Sequence, residues 1–109
     1  MKVAVVGSRS ITDINIEQYI PKGITMLITG GAVGVDTIAE RYADRKHIKK
    51  QIIFPDYGRY GKSAPLYRNK LIVDTADIVI AIWDGVSGGT NFTVKYAQQI
   101  GKPFEVHIV

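Results

Sequence analysis

Short runs that are apolar on both faces alternate along this chain with longer stretches whose apolar residues recur at helical spacing. The first run, Lys2 to Val6, has no polar face, as a strand buried on both sides of a parallel sheet requires. Comparable runs at Ile24 to Ile28, Gln51 to Phe54, Asp77 to Trp83 and Phe104 to Val109 predict the remaining strands. Helices are predicted from Thr12 or Asp13 to Ile20, from about Asp36 to Lys46, from Pro65 to about Thr75 and from Thr90 to Ile100.

Local punctuation supports these boundaries. Thr12 or Asp13 offers a side-chain cap, Pro21 with Lys22-Gly23 ends the first helix, Pro65 suits a first helical turn, and Gly101 before Pro103 stops the last helix. In the second helix Ile38, Ala39 and Tyr42 share a face, while Glu40, Arg41, Asp44 and Arg45 turn outward. Residues 55–64 lack a clear period and are expected to form the longest irregular segment. The alternation predicts an α/β fold, a Rossmann-like doubly wound parallel sheet of five strands in a single domain over residues 1–109.

Composition narrows the setting. A chain of 109 residues with 46% hydrophobic content can build one core, and the absence of cysteine excludes disulfides, zinc-thiolate sites and thiol catalysis. The apolar run Val3 to Val6 meets Gly7-Ser8-Arg9 too soon for a signal-peptide core or a membrane span, so no membrane association is expected and the chain reads as cytoplasmic. A net charge of +4 favours polyphosphate or nucleic-acid partners through long-range attraction. Much of it lies in Arg41, Arg45, Lys46, Lys49 and Lys50, the pattern of a solvated helix face and its exit turn, whereas Arg9, Arg59, Lys62 and Arg68 lie in or beside predicted loops.

Three predicted strand-to-helix turns carry glycine: Val6-Gly7-Ser8-Arg9, Thr29-Gly30-Gly31-Ala32 and Ser87-Gly88-Gly89-Thr90. Glycine there lets backbone N–H groups approach a phosphate, and the following helix adds the positive end of its dipole. Ligands of doubly wound sheets sit beyond the carboxyl ends of the strands, where strand order reverses. With the first strand central and the second and fourth beside it, the three turns become neighbours around one pocket for an anion. The spacing is not that of a dinucleotide fingerprint, and Thr29 stands where an acid would end the second strand, which argues against an ordinary NAD-dependent dehydrogenase. No cofactor is expected.

Several side chains have two readings. Ser8 offers a hydroxyl and Arg9 a bidentate fork for phosphate, or Arg9 makes a surface ion pair. Thr90 is a phosphate donor, an N-cap or both, and Asp36 either caps the second helix or accepts from a ribose hydroxyl. Asp84 is the carboxylate best placed for catalysis or metal coordination, or else an acceptor of turn hydrogen bonds. Trp83 belongs to the core or forms a base platform. The segment Tyr57-Gly58-Arg59-Tyr60-Gly61-Lys62 reads either as an ordinary exposed loop or as a glycine-hinged flap that stacks a base and meets a phosphate. His47 and His107 have no metal-ligand partner at a recognisable spacing, and no metal site is predicted.

Taken together, the GSR turn, Gly30-Gly31-Ala32-Val33-Gly34-Val35-Asp36, the Tyr67-Arg68-Asn69 triplet and Ser87-Gly88-Gly89-Thr90-Asn91-Phe92-Thr93 resemble the SLOG superfamily, in particular its small stand-alone YspA-like members. The similarity runs from Val3 to about Pro103. It implies that Arg68 and Asn69 contact a ligand or buttress the Ser8-Arg9 loop. A related branch, the nucleotide-binding core of the DprA/Smf proteins, binds single-stranded DNA, and there the position of Val33 is often arginine. A third branch, the LOG phosphoribohydrolases, cleaves nucleoside monophosphates with an acid shortly after its G-T loop. Phe92, Thr93, Val94 and Lys95 stand at those places here, so no carboxylate is present to stabilise an oxocarbenium-like centre or activate water.

Three functional readings follow. The first is a module that binds or senses a nucleotide or nucleotide-derived phosphate ligand. The second is a nucleotide-processing hydrolase using Asp84 or Asp36, and the third a binder of single-stranded nucleic acid. Apolar helix faces would also suit a symmetric homo-oligomer.

Overall fold

Val3 to Val6 are all buried, and they place the first strand, β1 (Lys2–Gly7), at the centre of the sheet. The computed structural model describes residues 1–109. β2 (Met26–Thr29) and β4 (Ile78–Trp83) flank β1, and β3 (Lys49–Ile52) and β5 (Phe104–Ile108) form the edges. The order is β3-β2-β1-β4-β5 with every pairing parallel, which is the Rossmann-like α/β arrangement expected from the alternation.

Neighbouring residues of one strand serve different cores. Val3 and Val5 of β1, with Leu27, Ile80 and Ile82, pack beneath α1 (Val35–Arg45) through Val35, Ala39, Tyr42 and Ala43. Ala4 and Val6, with Ile28, Val79 and Ala81, face α3 (Ala64–Thr75) and α4 (Gly88–Gln99) through Ile72, Val73, Ala76 and Ala97. Each fully buried Leu or Ile contributes about 1.5–3 kcal/mol of transfer free energy, so these two cores hold the strands in register. No helix is long and apolar enough to cross a membrane.

The structure departs from the sequence reading in four places. The helix expected to run to Ile20 is only a 3₁₀ turn, Ile16–Tyr19, and neither Thr12 nor Asp13 caps it. The preceding residues are used otherwise: Ile11 N–H donates to Ser8 O and the Ser10 hydroxyl to Asp84, which ties the segment to the sheet. β3 runs from Lys49 to Ile52 rather than from Gln51 to Phe54: Lys49 and Lys50, expected in the exit turn of the helix, pair with Met26 and Leu27, the pairing with β2 ends opposite Thr29, and Phe54 is left exposed. Segment 55–64 is not irregular: α2 (Tyr57–Tyr60) forms where the Asp56 carboxylate accepts from Arg59 N–H at 3.1 Å, and a 3₁₀ turn, Gly61–Ser63, leads into α3. The last helix begins at Gly88 rather than Thr90, so both glycines belong to its first turn.

Candidate functional site

The connections change direction between β1 and β4, and a cleft of about 360 Å³ opens at the carboxyl ends of these strands. The turn after β1 supplies Gly7, Ser8 and Arg9 to its wall, and the turn into α1 supplies Ala32 and Asp36. Arg68 and Asn69 come from α3, and Ser87, Gly88, Gly89 and Thr90 from the start of α4. Gly30, Gly31 and Asp84 lie outside the lining; Gly30 and Asp84 bond to residues that form it, whereas Gly31 lies against Ile52 and Phe54. Val6, Pro65, Leu66 and Thr93 also line the cleft and were not anticipated. Thr93 was legible in principle, being three residues beyond Thr90 on one helical face. Pro65 and Leu66 carry no chemical signal and reach the cleft only because α3 begins beside it.

Asp84 organises the wall at α4. Its carboxylate accepts from Val86 N–H and Ser87 N–H at 2.9 and 2.8 Å, and from the hydroxyls of Ser10 and Ser87 at 2.8 Å each. These donors hold its pKa far below the usual carboxylate range, the Val86 N–H first among them. Asp84 N–H in turn donates to the buried Ser8 hydroxyl at 2.9 Å, so the turns after β1 and β4 are stapled together. Asp84 is therefore a turn acceptor; its oxygens are committed to donors within the protein.

Ser87 occupies the N-cap position of α4, yet its side chain makes no capping bond, because it turns to Asp84. Trp83 Nε1–H reinforces the turn by donating to Ser87 O at 3.0 Å. The N–H groups of Gly88, Gly89 and Thr90, the first three of the helix, make no hydrogen bond within the protein and border the cleft at its positive end; those of Gly89 and Thr90 are the ones within reach of a serine cap. Thr90 is the third helical residue and does not cap. A Cβ added at Gly88 would meet no atom within 4 Å, and one at Gly89 only Asn69 Nδ2 at 3.9 Å.

Arg68 and Asp36 form the opposite wall. Asp36 is not the cap of α1, whose cap position is Gly34; one of its oxygens accepts from Gly30 N–H and Ala32 N–H at 3.2 Å each. Burial raises its pKa, against the opposing influence of these donors, of the Thr29 hydroxyl and of Arg68. The Thr29 hydroxyl is itself buried with no partner within hydrogen-bond distance, so its effect on Asp36 is weaker than a formed bond. Arg68 donates through Nη1 to Gly30 O and through Nε to Asn69 Oδ1 at 2.7 Å. A Cβ at Gly30 would stand 2.7 Å from Nη1 of Arg68, so glycine there makes room for the guanidinium rather than for a ligand. Gly34 has φ of +84° and would bring a Cβ within 2.6 Å of Arg9 Cα, which places the turn against the Arg9 loop.

Burial lowers the Arg68 pKa, Asp36 raises it, and nearby Arg9 lowers it again. Two guanidinium groups thus share the cleft with one carboxylate, and the balance favours an anion. No group of three or more His, Asp or Glu side chains is placed to hold a metal ion; His47 lies in the exit turn of α1 and His107 on β5. Beside the cleft, the rings of Tyr60 and Tyr67 stack at 4.0 Å, with Arg59 over Tyr60 at 5.2 Å and Lys70 over Tyr67 at 5.7 Å.

No family model and no curated protein matches this chain. Among solved structures, it is similar to DNA processing protein A from Helicobacter pylori, a protein with a unique single-stranded DNA binding mode. The TM-score is 0.77 and the identity 25% over 97% of this chain, which spans 64% of the length of that one.

Proposed function

We propose that the cleft binds a nucleotide or nucleotide-derived phosphate ligand, its phosphate seated on the first turn of α4 between Arg9 and Arg68. The observation that carries this reading is the open helix start: three N–H groups without a partner border the cleft, and Ser87, the natural cap for the second or third of them, is held by Asp84. Gly88 and Gly89 have space for a side chain that nothing in the protein fills, and an incoming anion would use that space. The reading is one of binding rather than turnover. Asp84 is saturated by donors and Asp36 holds two backbone N–H groups, so neither is free as an acid or base of the phosphoribohydrolase type. The SLOG resemblance belongs to the same proposal. Thermal melts across nucleoside monophosphates, ADP-ribose and NAD test it, since a ligand at a hundred times its Kd stabilises by about 2.7 kcal/mol. No shift across the panel, repeated with Arg9→Ala as reference, would reject it.

A second reading, single-stranded DNA binding, is favoured by the similarity to DNA processing protein A and by the stacked Tyr60–Tyr67 pair with its two cations. Bases stacked on such rings typically gain about 1–3 kcal/mol each. Affinity for an oligonucleotide should then fall steeply with salt, and Arg59→Ala or Lys62→Ala should flatten that slope. A salt-independent signal would remove this reading and leave the first intact.

A further inference from the structure

The two rims of the sheet are built differently. On one side β3 shows Lys49, Lys50 and Gln51 to solvent, the charged edge that discourages another strand from pairing. On the other side β5 presents Val106 and Ile108 at 36% and 68% exposure, with no proline or lysine in the strand. Its sequence, Phe104-Glu105-Val106-His107-Ile108, reads apolar, acidic, apolar, basic, apolar, and so is complementary to its own reverse.

Backbone geometry restricts how a second strand joins. Pro103 O accepts from Val79 N–H, and Val109 N–H donates to Trp83 O. Backbone groups alternate sides along a strand, so the amides of Glu105 and His107 face β4 and those of Phe104, Val106 and Ile108 face outward. An antiparallel partner exchanges hydrogen bonds only with the outward set, which requires a two-fold axis through a residue rather than between two. An axis at Glu105 would oppose two carboxylates, and one at His107 two imidazoles. An axis at Val106 sets Glu105 of each copy opposite His107 of the other and Phe104 opposite Ile108. That register alone satisfies hydrogen bonds, charge and apolar contact together.

We propose that the β5 edge is a homodimer interface, with two copies paired antiparallel about Val106 so that their sheets become continuous. His107 is positioned for this: its ring packs on Tyr19 with centroids 4.7 Å apart and lies 3.2 Å from Glu105, on the face that would receive the second carboxylate. Phe104, packed against the core under α3 and α4, begins an apolar stripe that the second copy extends. Pairing β5 with β3 of another copy would instead meet Lys49 and Lys50 and would leave both outer edges open to further addition. The antiparallel join directs the two clefts to opposite rims, so the interface and the ligand site act separately.

Sedimentation of the full chain tests the proposal. The wild type is expected to dimerise at micromolar concentration, and Val106→Lys, which places two ammonium groups at the axis, to raise the dissociation constant at least about tenfold. Glu105→Lys and His107→Glu should each weaken the dimer, and the double exchange should restore it, with circular dichroism confirming that each variant folds. Because the chain has no cysteine, Val106→Cys introduces a single thiol whose Cα would stand about 5.5 Å from its twin, within disulfide range, and oxidation should cross-link it. Ile108→Cys would stand about 14 Å from its twin and should not cross-link. A monomeric wild type, a dimer that survives Val106→Lys, a double exchange that restores nothing, or equal cross-linking at both cysteines would overturn the proposal.

Discussion

Ser87 stands at the start of α4 but gives its hydroxyl to Asp84, 2.8 Å away, instead of to the helix. A serine cap ordinarily contributes about 0.5–2 kcal/mol, and this chain forgoes it. What it gains is an unoccupied row of N–H groups beside two arginines.

Asp84→Asn tests that arrangement. Asparagine keeps one acceptor for Val86 and Ser87 N–H but presents an NH₂ group where the Ser10 and Ser87 hydroxyls donate. The Ser87 hydroxyl is then released to cap α4. Affinity for a nucleotide should fall about tenfold, a loss of about 1.4 kcal/mol in binding free energy by isothermal titration. The wild-type carboxyl has a depressed folded pKa, so its contribution to stability is fully present above the ordinary value of 3.8 and is lost as pH falls below it. Thermal melts between pH 2 and about 5 should show a shallower acid limb in the variant.

Gly88→Ala and Gly89→Ala should separate folding from binding. Neither glycine has a positive φ, and the added methyl group meets no protein atom closer than 3.9 Å. Each variant is expected to gain about 0.4–1 kcal/mol of stability by restricting the unfolded chain, while losing ligand affinity. Denaturant unfolding and ligand titration on the same samples measure both; unchanged affinity in both variants would place the ligand elsewhere.

Arg68 carries a structural load that sequence reasoning left open. It is 8% exposed, bonds Gly30 O and Asn69, and faces Asp36. Arg68→Ala should cost about 1–3 kcal/mol, because it leaves the buried Gly30 carbonyl without its donor and removes the positive charge near the buried Asp36. Urea unfolding measures this. A cost below about 1 kcal/mol would mean that the guanidinium serves the ligand alone.

Asp36 should link binding to pH. Its folded pKa is raised by burial, so its contribution to stability is fully present below the ordinary value of 3.8 and is lost as pH rises through the folded value. Its negative charge lines the same cleft as the proposed anion. Ligand affinity is therefore expected to strengthen as pH falls through that value, with proton uptake on binding, and Asp36→Asn should flatten the dependence. Titrations in two buffers of different ionisation enthalpy detect the uptake.

The strands and most helices were legible because their signal is local. An apolar run with no polar face announces a buried parallel strand, and Pro65 and Gly101 mark helix ends whatever the rest of the chain does. The neighbouring positions of the turns at Gly7 and Gly88 followed as well, once β1 was taken as central. The helical fold of Tyr57–Ser63 was missed because it depends on one capping carboxylate, Asp56, rather than on a repeat of apolar residues.

By itself, then, the sequence determined a parallel α/β sheet with glycine turns and basic residues at one rim. Tertiary structure alone decided what each polar group does there. Asp84 and Asp36 look alike on paper, yet one is saturated and held ionised by Val86, Ser87 and Ser10 while the other is buried and pushed toward its neutral form. The physical reason is that hydrophobic patterning sums over neighbours in the chain, whereas a carboxylate or guanidinium takes its role from donors and acceptors that folding brings in from elsewhere, as Arg68 does with Gly30.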